Sequence, residues 1–148
     1  MGSKQSVLDK YERVSFTLEE INPTTGKMTK RQLGRGVRAN VGGKGVDLFP
    51  ITVLSDACDR SREVLLGWEE TVLRQFSRQK EDGTWERLEA TFAILPKSIH
   101  RVPDSGVHRW YTYDQIMAVR NALVAHEAVK GRREIDWWGV ATMIEDRW

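Results

Sequence analysis

The residues able to carry chemistry are few and scattered. His100, His108 and His126 lack the HxxxH or HExxH spacing that turns two imidazoles toward one metal ion, so they read as structural histidines. Glu69 and Glu70 are adjacent carboxylates. In a strand, neighbouring side chains leave on opposite faces, so this pair could not act on a single substrate atom. No G-x-S-x-G elbow is present, and Cys58 is the single cysteine, which excludes an intrachain disulfide and a thiolate zinc cluster. The run Gly34 to Gly45 has Arg38 where a phosphate-cradling loop needs Gly and Gly45 where it needs Ser or Thr, so it reads as a flexible turn or bent strand. With no catalytic constellation, no metal site and no cofactor site, a non-enzymatic protein is expected.

The cations are better organised than the acids. Lys27, Arg31, Arg35 and Arg38 come from one early segment, and Arg60, Arg62, Arg74, Arg78, Lys80 and Arg87 from a later one. A folded sheet could gather them on one surface to neutralise phosphates, with Thr91 and Trp85 available for base contacts and stacking. The alternative is that these cations lie on solvated faces interspersed with Glu.

The elements that must position these residues follow from periodicity. Val14, Phe16 and Leu18 alternate with polar residues, and Asn22-Pro23-Thr24-Thr25-Gly26 supplies a turn, so Tyr11 to Leu33 reads as a β-hairpin. Leu48 to Leu54, rich in β-branched residues, reads as a short strand. Glu63 to Phe76 also fits a helical face, but the Asp82-Gly83 hairpin signal requires strands on both sides, so Arg60 to Leu95 reads as long strands. Within it Leu88, Ala90, Phe92 and Ile94 share one face, and Pro96 ends the strand. From Thr112 to about Val129 the apolar period becomes helical, with Thr112 as N-cap and Lys130-Gly131-Arg132-Arg133 as the stop. A second helix runs from Asp136 to about Arg147. The expected class is α+β: an N-terminal β-hairpin and antiparallel sheet over residues 1–97, then two C-terminal helices over residues 112–148.

Composition sets the outer limits. A chain of 148 residues with 40% hydrophobic and 30% charged residues and six Trp suits one globular domain rather than a disordered segment. No apolar run approaches the roughly 18–20 residues that span a bilayer, so no membrane partner is expected. Met1-Gly2-Ser3-Lys4-Gln5-Ser6 fits the N-myristoylation pattern, but one acyl chain anchors only marginally and no basic cluster follows. The net charge of +2 hides cations concentrated in the β portion.

The order of an N-terminal hairpin, Asp59-Arg60-Ser61-Arg62-Glu63-Val64-Leu65-Leu66, the Asp82-Gly83 turn, Ala90 to Lys97 and Tyr113 to Leu123 resembles the coat proteins of single-stranded RNA bacteriophages over most of the chain. The resemblance implies an antiparallel sheet with two C-terminal helices and an intertwined homodimer interlocked through those helices. It further implies closure of dimers into a shell, packaging of single-stranded RNA, and translational repression through an RNA hairpin. Localisation would be the virion, and the host cytoplasm during assembly. Ile116, Val119, Leu123, Trp137, Val140 and Ile144 would then form the dimer interface, and Arg74, Arg78, Lys80, Trp85, Arg87 and Thr91 would contact the RNA. Departures are the long Ser98 to Val107 insert and the high Trp and charge content. A competing resemblance joins Trp110-Tyr111-Thr112 to Asp136 through Ala141 as a Myb/SANT-like DNA-binding segment, although no recognition helix can follow Trp148.

Overall fold

A computed structural model describes residues 10–127 and 135–148, so the Gly2 pattern and the Lys130 to Arg133 stop signal lie outside the described residues. The described elements run β1 (Glu12–Ile21), β2 (Met28–Val41), β3 (Lys44–Pro50), α1 (Ile51–Cys58), α2 (Arg62–Trp68), β4 (Val72–Gln79), β5 (Trp85–Phe92), β6 (Trp110–Thr112), α3 (Tyr113–Glu127) and α4 (Trp137–Glu145). The fold is mixed α/β, with the antiparallel sheets ahead of the two C-terminal helices. The described residues form two compact units, one of residues 10–59 with 98–113, the other of residues 60–97 with 114–127 and 135–148.

The first unit is a four-stranded antiparallel sheet in the order β1-β2-β3-β6. The expected first hairpin is present. Asn22 accepts from the Thr24 and Thr25 amides at 2.8 and 3.2 Å, and Gly26 supplies a positive φ of 70°. Of the two readings of Gly34 to Gly45, the strand holds for most of the run: β2 continues through it to Val41, and Gly42 and Gly43, both at positive φ, turn it into β3. Gly-Gly suits a two-residue hairpin because both central positions of that turn need φ above zero.

Both faces of this sheet are packed near its centre. Val37, Ala39 and Leu48 pack with Val102 and Trp110 on one side. On the other, Phe16 meets the rings of Phe49 at 5.1 Å and Tyr113 at 4.9 Å. A Cβ at Gly36 would stand 2.1 Å from the Leu48 carbonyl oxygen and 2.7 Å from the Phe49 ring, which is why Gly interrupts the strand there.

Ile51 to Leu54, expected as the end of a strand, begins helix α1 instead. Its β-branched residues yield to burial, since Ile51, Leu54, Ala57 and Cys58 recur at helical spacing and are covered. Asp59, at φ 52°, ends α1 in a left-handed conformation. The second unit then opens with another correction. Arg62–Trp68 is helix α2, with the Ser61 hydroxyl accepting from the Val64 amide at 3.3 Å, so the strand expected from Arg60 begins only at Val72. Glu69 and Glu70 follow α2 rather than lying in a strand.

Gly36→Ala should destabilise the fold by about 1–3 kcal/mol or more, because the added methyl meets backbone rather than a yielding side chain. Calorimetry should show the thermal midpoint falling by several degrees, and an unchanged midpoint would contradict this packing.

Candidate nucleic-acid interface

An isolated pair of strands is marginal in water, so β4–β5 needs cover on one face. Val72, Arg74, Phe76 and Arg78 share a face with Glu86, Leu88, Ala90 and Phe92, because paired residues project to the same side. That is the covered face. The Phe76 and Phe92 rings meet edge to face at 5.8 Å, and Trp138 of α4 lies 6.0 Å from Phe76 and 5.1 Å from Phe92. Asp136 caps α4 by accepting from the Gly139 amide at 2.9 Å, which seats the helix carrying Trp138.

The opposite face carries Leu73, Gln75, Ser77 and Gln79 beside Trp85, Arg87, Glu89 and Thr91. Trp85, Arg87, Glu89 and Thr91 are all exposed, as are Leu73, Gln75 and Gln79. Glu89, the one carboxylate among these eight, accepts from the Gln75 side-chain amide at 2.8 Å. The connecting turn is pinned by the Lys80 amide donating to Thr84 at 2.7 Å, and Gly83 adopts φ 86°. Asp82 accepts from the Thr84 hydroxyl and amide at 2.6 and 2.9 Å, and these bonds hold its carboxyl below the usual range, the hydroxyl first.

The six expected RNA contacts therefore divide. Trp85, Arg87 and Thr91 lie together on the exposed face, and Lys80 stands in the turn at the Trp85 end. Arg74 and Arg78 lie on the covered face, which corrects the expectation that Arg74 accompanies Arg87 and Thr91. Arg74 donates to the carbonyls of Phe92 at 3.2 Å, Gly67 at 3.0 Å and Glu70 at 3.1 Å, so it satisfies acceptors at the end of α2. Arg78 stands 3.7 Å from Asp136 and 5.7 Å from the Phe76 ring centre. Gln75 and Gln79 also lie on the exposed face, a place that only the β4–β5 register reveals.

Five of the six residues expected at a dimer interface are buried in this single chain, and Trp137 is half-buried. Ile116, Val119, Val140 and Ile144 are fully covered, Leu123 nearly so, and Trp137 packs its ring 5.4 Å from Trp68. Trp110, one of the Myb/SANT-like positions, lies on strand β6 rather than on a helix.

Elsewhere Arg38 is engaged by Asp47 at 2.8 Å and Glu12 at 3.1 Å. The Asp47 hydrogen bond chiefly raises its already high pKa. Burial pushes His100 below the usual imidazole range. Among the described residues no cluster of three or more His, Cys, Asp or Glu could hold a metal, and no helix is long and apolar enough to cross a membrane. A half-open cleft of about 500 Å³ in the second unit is lined by Asp114, Met117, Ala118, Asn121, Met143 and Arg147. No family model, no characterised protein and no solved structure matches this chain.

Two outcomes follow from the hairpin. Arg74→Ala should cost about 1 kcal/mol of stability through its lost hydrogen bonds to three carbonyls, of which Gly67 keeps the Glu70 amide, read as a lower denaturation midpoint. Asp82→Ala should lower the thermal midpoint near neutral pH, and the deficit should narrow as acid protonates the wild-type carboxylate. The folded carboxyl titrates below the unfolded value of about 3.9, so the stabilisation is present above that value and is lost as pH falls through the folded one. A deficit constant from pH 7 to pH 2 would contradict this.

Proposed function

We propose that the chain is a non-enzymatic, self-associating protein of coat-protein type that binds single-stranded RNA on the exposed face of β4–β5. One observation carries the reading: the strand register collects Trp85, Arg87 and Thr91 on that face, with Lys80 at its end. An exposed indole gives an unpaired base a stacking surface, and a guanidinium two residues along the strand can meet the adjoining phosphate or stack in turn. The Thr91 hydroxyl can donate to or accept from a base edge or a 2′-hydroxyl. Such a platform favours splayed single strands over duplex, whose bases are already stacked.

Ile116, Val119, Leu123, Val140 and Ile144 are buried within the chain and Trp137 is half-buried, so they leave no exposed stripe to support an interlocked dimer. Self-association must therefore use another surface.

Fluorescence anisotropy with a labelled single-stranded RNA tests the RNA contact. Trp85→Ala should weaken binding roughly tenfold, as expected for losing one stacked base. Arg87→Glu should weaken binding and flatten its salt dependence. Wild-type affinity in both variants, or no binding by wild type at low salt, would contradict the reading.

A further inference from the structure

Strand β1 is an outer strand of its sheet, and among the described residues no strand pairs with its far edge. At ten residues it is long for an unprotected edge, and such an edge is a template for another strand. The register shift of the first hairpin falls between Phe16 and Thr17, which pair with Gly34 and Gln32, so the extra residue is Leu33 of β2. β1 itself keeps unbroken alternation. Val14, Phe16 and Leu18 lie on one face, and Arg13, Ser15, Thr17 and Glu19 on the other.

We propose that two copies of this chain pair through the outer edges of their β1 strands, antiparallel, with Phe16 opposite Phe16 on the two-fold axis. The inference rests on the self-association part of the reading above, not on its RNA contact. In this register Val14 faces Leu18 of the second copy, Ser15 faces Thr17, and Arg13 faces Glu19, each pair occurring twice by symmetry. Apolar residues meet apolar ones, and opposite charges meet. Sliding by one residue sets Phe16 opposite Thr17 and mixes the two faces. Sliding by two in either direction keeps the faces but loses both Arg13–Glu19 pairs. Glu12 meets Glu20 at the ends, where Arg38 already holds Glu12 at 3.1 Å. Glu19 carries Lys30 at 3.5 Å on its β2 side, so Arg13 of the second copy would extend an alternating ladder of charge.

Charge reversal tests the register, because Arg13 and Glu19 are both exposed. By sedimentation velocity the wild type should dimerise. Arg13→Glu or Glu19→Arg alone should weaken dimerisation on the order of tenfold to a hundredfold by setting like charges opposite twice over. An equimolar mixture of the two variants should restore dimers, since the introduced carboxylate of one copy then faces the introduced guanidinium of the other while one native Arg13–Glu19 pair survives. The double variant should dimerise by itself. A monomeric wild type, or single variants as dimeric as wild type, would overturn the proposal. Hydrogen exchange on the wild type, which needs no variant, should show β1 amides gaining protection as concentration rises, and concentration-independent exchange there would also overturn it. RNA anisotropy measured on the same samples separates the two claims: dimers that persist through single reversals while RNA still binds refute this register and leave the RNA reading standing.

Discussion

The contact between Trp138 and the Phe76–Phe92 pair fixes what the second unit can offer to solvent. Two strands cannot stand alone, and once α4 seats an indole against one face of β4–β5, every alternate residue is committed to the covered side. Arg74 and Arg78 fall on that side and turn to structural work. Trp85, Arg87 and Thr91 are left facing outward by the same rule. The outward face is thus the remainder of a packing decision, and a one-residue slip would exchange the two sets.

The same logic governs the first unit, where both faces of the sheet are packed near its centre and only edges and hairpin ends remain open. Gly36 lets β2 approach the Leu48 carbonyl closely, and this holds β2 and β3 together while Phe16 and Val37 are buried on opposite faces. With those faces occupied, the outer edge of β1 is where the sheet can still grow. Self-association through an edge needs no unfolding of the helices, whose apolar stripes are already spent within the chain.

Much of this was legible in the residues. The alternation of β1, the Asn-Pro-Thr-Thr-Gly and Asp-Gly turns, and the helical period from Ile116 onward each named an element correctly, because local chemistry and tertiary packing agree there. The misreadings share one cause. Ile51 to Leu54 and Glu63 to Trp68 hold β-branched or short apolar runs whose helical form depends on what buries them, and a run that short carries no decisive period. The candidate site was half legible: Trp85, Arg87 and Thr91 share parity within one strand, whereas assigning Arg74 and Arg78 to a face required the pairing of β4 with β5. Nor could spacing reveal that Arg74 points its donors at three carbonyls.

The central claim is that single-stranded RNA meets the exposed face of the β4–β5 hairpin. Titrating the isotope-labelled chain with a short single-stranded RNA and following its amide and indole NMR signals tests this most directly. The account predicts the largest shifts at the Trp85 indole N–H and at the amides of Arg87 and Thr91, with small ones at Arg74 and Arg78. Shifts centred on another surface, or none at all, would contradict it.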